Sequence, residues 1–87
     1  MTTTNDDYMR IWSHYGQELQ LRKLMEEAYE LTDAVREGDV EHIEEEFADV
    51  CVVLEQIASA YGVDKSFVER VKSAKVMRQL RRMGVEQ

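Results

Sequence analysis

The chain contains no proline, and its four glycines, Gly16, Gly38, Gly62 and Gly84, stand far apart. Nothing between them obliges a helix to stop, and each offers a place where one can. This spacing predicts long helices joined by short loops. Residues 1–5 read as a loose polar start, and 6–15 as a short helix carrying Tyr8, Met9, Ile11, Trp12 and Tyr15. From Gln17 to Glu37 the apolar residues Leu21, Leu24, Ala28, Leu31 and Val35 recur at helical spacing. Gly38 suits the position just past a helix end, and Asp39 can cap the helix that follows. That helix, over 40–61, carries Ile43, Phe47, Val50, Leu54, Ile57 and Tyr61 in the same spacing. The run Val50–Leu54 alone could form a buried strand, but it lies inside a longer helical pattern. Gly62 closes the helix and Asp64 can cap the last one, over 65–83, which offers Phe67, Val68, Val71 and Ala74 to a core. The expected fold is all-α: an antiparallel bundle of three main helices plus a short N-terminal helix.

Two acidic quartets, Glu26-Glu27-x-x-Glu30 and Glu45-Glu46-x-x-Asp49, flank Gly38-Asp39. Carboxylates three residues apart share one face of a helix. If the two helices fold back on each other, four carboxylates meet and repel unless a cation sits among them. A hard divalent cation such as Mg²⁺ takes oxygen ligands. At about 100° per residue, Glu27 lies roughly 60° from the centre of the Leu24/Leu31/Val35 stripe and Glu30 roughly 120°, with Glu26 farther round. Glu46 lies about 40° from Val50, Asp49 about 100° and Glu45 about 140°. Each helix therefore has one carboxylate near its apolar face, one at the border and one nearer solvent.

Asp33, Glu37, Glu41 and Glu44 read as solvated surface. Glu46 does not, because a carboxylate on an apolar stripe needs an ion pair, hydrogen bonds or a metal. A salt bridge to Lys75 or Arg78 and metal ligation both stay open for it. Histidine and cysteine are too few for a zinc site, and no Glu-x-x-His occurs, which excludes the di-iron pattern of helical bundles. All-carboxylate ligation points to Mg²⁺ or Mn²⁺.

The last helix begins apolar and continues basic: Lys75, Arg78 and Arg82 follow Val71 along one face. Such a stripe should meet either the acidic quartets or a phosphate chain; a solvated basic tail is the plainer alternative. Trp12, with Tyr8 and Tyr15, is a candidate for stacking on a nucleobase, against capping a core or filling a dimer interface. His14 and His42 read as surface or capping residues rather than catalysts. Cys51 reads as a small core or interface residue.

With 87 residues, one domain spanning 1–87 is expected, and its core would be marginal unless oligomerisation completes it. A hydrophobic share of 44% and a charged share of 33% suit a globular chain. The formal net charge of −7 argues against a duplex nucleic-acid binder. The single cysteine excludes an intrachain disulfide and fits a reducing cytoplasm. There is no signal-peptide pattern and no long apolar run, so neither secretion nor a membrane span is expected.

The two quartets resemble the motif of the MazG-type all-α nucleoside triphosphate pyrophosphohydrolases. That motif is Glu-Glu-x-x-Glu, an interval, then Glu-x-x-Asp. Here it reads Glu26-Glu27-Ala28-Tyr29-Glu30 and Glu46-Phe47-Ala48-Asp49. Tyr15-Gly16, Gln20-Leu21-x-Lys23-Leu24 and Phe47-Ala48-Asp49-Val50 match as well. The resemblance implies Mg²⁺-dependent hydrolysis of a nucleoside or deoxynucleoside triphosphate to monophosphate and pyrophosphate. It implies Glu27, Glu30, Glu46 and Asp49 as metal ligands, with Glu26 and Glu45 as outer acidic residues that activate water or bind a further metal. Lys75 and Arg78 are then expected to hold the leaving pyrophosphate, in a homodimer or homotetramer with the site near the interface. Two rivals are a non-catalytic helical interaction module and an acidic hairpin whose glutamates only pair with Lys75 and Arg78.

Overall fold

The structure is a computed structural model that describes residues 2–85. It contains four helices and, among the described residues, no strand: α1 (Asn5–Tyr15), α2 (Gln17–Glu37), α3 (Val40–Tyr61) and α4 (Lys65–Arg82). No described helix is long and apolar enough to cross a membrane.

Each boundary has a local cause. Helix α1 starts at Asn5 rather than Asp6, because Thr4 and Asp7 form a reciprocal capping box. Gly38, at φ 77°, takes the left-handed conformation that ends α2 and donates its N–H to the carbonyls of Ala34 and Val35. Asp39 then caps α3 by accepting the His42 N–H. Asp64 caps α4 by accepting from the backbone N–H groups of Ser66 and Phe67 and from the Ser66 hydroxyl.

With only Gly38 and Asp39 between them, α2 and α3 form a tight antiparallel hairpin, and α1 packs mainly on α3. Trp12 meets Tyr61 edge to face at 6.4 Å, and Tyr61 donates its hydroxyl hydrogen to Gln17. Ser59 bonds Asn5. These contacts seat the short first helix.

The core is small and in part polar. Ala34 and Val53 are its fully buried apolar residues, and Gln20, Glu27, Glu46 and Gln56 are buried with them. On α2 the buried line is Gln20, Glu27, Ala34, a step of seven each time. Leu24 and Leu31 flank it half-buried, whereas Ala28 and Val35 of the expected stripe are exposed. On α3, Phe47 (59% exposed) and Leu54 (49%) lie outside, and Glu46, Val53 and Gln56 lie inside. The expected stripe thus runs beside a largely polar buried line: Leu21, Leu24, Leu31, Ile43, Val50 and Ile57 are half-buried along it, and Ala28, Val35, Phe47 and Leu54 lie outside.

Helix α4 departs furthest from expectation. No residue of it is buried, and Phe67, Val68 and Ala74 are exposed while Val71 is half-buried. The radius of gyration is 15.8 Å, against about 12 Å for a compact domain of this length. Periodicity correctly groups residues on one face of α4. It does not say whether the same chain provides the surface that face packs on.

Candidate metal centre

The inward face of the hairpin brings Glu27 of α2 opposite Glu46 of α3. Their exposures are 8% and 9%, so both lie on the buried line itself rather than beside it. Glu27, Glu46 and Asp49 each offer a carboxylate oxygen, and these oxygens lie within 4.8 Å of one another. Glu30 is exposed but stands close enough to Glu46 to affect its ionisation. Four like charges thus crowd one turn of each helix. Burial pushes the Glu46 carboxyl above the usual carboxylate range, and the neighbouring Glu30, Glu27 and Asp49 carboxylates push it the same way.

One oxygen of each inward glutamate has a basic neighbour. Lys23 Nζ lies 3.3 Å from Glu27 Oε1, and His42 Nε2 lies 3.4 Å from Glu46 Oε1. The other oxygens, Glu27 Oε2 and Glu46 Oε2, are buried without any hydrogen-bond partner. Buried acceptors are normally satisfied. Two orphans on facing helices are a donor set for a cation, and because every donor is a carboxylate oxygen the set suits a hard divalent ion.

A family model decides the wider context: that of the MazG nucleotide pyrophosphohydrolase domain matches residues 16–80. The chain belongs to the MazG family. The match takes in α2, α3 and most of α4, and therefore the whole acidic cluster of this MazG domain. Comparisons with curated proteins and with solved structures give no match.

The remaining expected site residues of the MazG chain are dispersed. Glu26 is exposed and lines a cleft of about 480 Å³ with Ile11, Tyr15, Leu19 and Arg22, floored by Gln20 and Gln56. Glu45 is exposed and is not among the residues lining that cleft. Trp12 is half-buried against Tyr61 and is not among the residues lining that cleft; Tyr15 is. Lys75 and Arg78 lie exposed on α4 and, among the described residues, pair with no carboxylate. The expected alternative of an intrachain bridge from Glu46 to Lys75 or Arg78 is therefore not what forms. The basic neighbour of Glu46 is His42, because α4 turns away from the hairpin.

The sequence reading takes His42 as a surface or capping residue and gives Lys23 no role of its own; the structure sets each beside an inward glutamate. The overlooked signal is positional: each stands four residues before the inward glutamate of its helix, one turn below it on the same face. His42 also reaches Glu37 through Nδ1 at 3.3 Å. Glu37, and to a smaller degree Glu46, hold the imidazole above its usual range against partial desolvation.

Proposed function

We propose that this MazG domain, acting as one unit over 1–87, hydrolyses a nucleoside or deoxynucleoside triphosphate between the α and β phosphates, releasing monophosphate and pyrophosphate. The observation that carries the reading is the pair of buried, unpartnered oxygens on Glu27 and Glu46 within the family's motif. Glu27, Glu30, Glu46 and Asp49 would hold Mg²⁺ or Mn²⁺. Bound there, the ion supplies positive charge to phosphate oxygens and to the charge developing at the scissile anhydride. Glu26, on the rim of the cleft, orients or deprotonates the attacking water; Glu45 is the other outer carboxylate. Lys75 and Arg78 neutralise the departing pyrophosphate. Because α4 leaves its own hairpin, those two residues reach a site only when a second copy packs on the first, in a homodimer or homotetramer. The exposed apolar residues of α3 and α4 favour such packing. Trp12 would serve the base only indirectly, by fixing α1 beside the cleft.

The test is product analysis. The protein is incubated with canonical, deoxy and modified nucleoside triphosphates plus Mg²⁺ or Mn²⁺, with Glu46→Gln alongside. Monophosphate and pyrophosphate should appear with the unaltered chain and not with the variant. Diphosphate and orthophosphate would refute α–β cleavage, and full activity of Glu46→Gln would refute the metal centre.

A further inference from the structure

Glu27 and Glu46 share an arrangement that metal ligation alone does not require. On each helix a basic side chain four residues earlier approaches Oε1, and Oε2 stays buried and free. The two helices run in opposite directions, so Lys23 and His42 approach the cluster from its two ends. His42 lies at the hairpin turn, and its ring is held from the far side by Glu37, the last residue of α2.

A glutamate side chain has three rotatable bonds, and an unsupported one turns its oxygens to water. The side chains of both inward glutamates are 11% exposed, so water is within reach of a small rotation. Something must keep one oxygen inward. The ion pairs contribute little to stability, since Lys23 is half exposed and a solvated pair gains little. Their geometric effect is larger: a basic group 3.3–3.4 Å from Oε1 draws that oxygen toward it and leaves Oε2 at the seam. Groups that orient metal ligands in this way affect metal affinity although they never touch the ion.

We propose that Lys23 and His42 are positioning residues, each holding the outer oxygen of the glutamate four residues on so that the inner oxygen is presented to the cation. This rests on the metal reading above and adds to it two residues and the oxygen that each controls.

The sign of the effect separates this role from simple electrostatics. Lys23 is a positive charge beside a cation site, so charge alone predicts that removing it tightens cation binding. Positioning predicts that removing it weakens binding. Mn²⁺ is titrated into the protein and free Mn²⁺ is followed by electron paramagnetic resonance. The chains compared are the unaltered one, Lys23→Met, His42→Ala, and the conservative Lys23→Arg and His42→Gln. Lys23→Met and His42→Ala should each weaken Mn²⁺ binding by about tenfold, the lower end for lost ligand-orienting contacts. Lys23→Arg and His42→Gln, which keep a donor, should recover most of the loss. Circular dichroism of the metal-free chains should show the same helix content throughout. Unchanged or tighter binding by Lys23→Met and His42→Ala would overturn the proposal and leave the metal centre standing. So would conservative variants that stay folded yet bind as weakly as the truncated ones. Failure of the unaltered chain to bind Mn²⁺ would overturn the metal centre and this proposal together.

Discussion

The α2–α3 hairpin and helix α4 treat charge in opposite ways. The hairpin buries Glu27 and Glu46 while Phe47 and Leu54 face outward. Helix α4 buries nothing: its basic residues and its Phe67, Val68, Val76 and Met77 are all exposed. Their carboxylates differ as well. Glu46 is pushed up by burial and like charges, whereas the Asp64 cap is pulled down by the bonds it accepts from Ser66 and Phe67. The hairpin spends its interior on carboxylates and amides, and α4 leaves its apolar residues in the open.

The contrast can be broken most severely at the hairpin. Glu46→Gln should lower kcat/KM by at least about 100-fold, the scale of removing one electrostatic group that stabilises developing charge. Arg78→Ala, on α4, should cost about 10- to 100-fold, the worth of one charge-assisted hydrogen bond. Steady-state kinetics on one substrate measures both, and an unaffected Arg78→Ala would detach α4 from the chemistry. If a second copy covers Phe47, Phe47→Asp should turn a dimeric or tetrameric parent into monomers in analytical ultracentrifugation and lower Tm by about 8 °C or more, the scale of losing one buried aromatic contact. A monomeric parent with unchanged Tm would mean that the outer stripe of the hairpin is not covered.

The pH response sharpens the comparison with a smaller effect. A folded-state pKa above the unfolded one means that the folded chain holds its proton more tightly, so stability falls as pH rises. Metal-free protein should therefore lose Tm as pH climbs through and above the ordinary glutamate range, and Glu46→Gln should flatten that loss. Asp64 has the opposite sign. Its contribution is present above the ordinary aspartate range and disappears as pH falls through its depressed value, and Asp64→Ala should remove it. Least of all, Lys72→Ala, which breaks an exposed pair with Glu69, should shift Tm by under about 3 °C.

The helices and their breaks were legible because glycine and capping aspartates act locally. The placement of two carboxylates was legible too: projection puts Glu27 and Glu46 nearest the apolar face of each helix, and both are buried. The seam itself was not. Helical periodicity seeks the most apolar line, and on α3 that line is Phe47–Leu54, while the buried one runs through Glu46, Val53 and Gln56. A polar seam cannot be found by looking for hydrophobes. The isolation of α4 was hidden for another reason: its apolar residues are phased for burial, but their counterpart is not in the packing of this chain. The contact of His42 with Glu46 was not foreseen because the histidine was weighed by residue type and not by its offset from the glutamate.

The buried hydrogen bond from Gln20 Nε2 to Gln56 Oε1, 2.9 Å long, has a consequence of its own. Gln20 lies about two turns from Glu27 along α2. The two-residue Gly38-Asp39 turn already limits how far α2 and α3 can slide, and the amide pair adds a directional restraint that two leucines would lack. An amide pair tolerates one register, because sliding either helix by a turn leaves a donor and an acceptor stranded. That same slide would carry Glu27 past Glu46. The glutamines therefore add to the short turn a second restraint that keeps the two carboxylates level with each other.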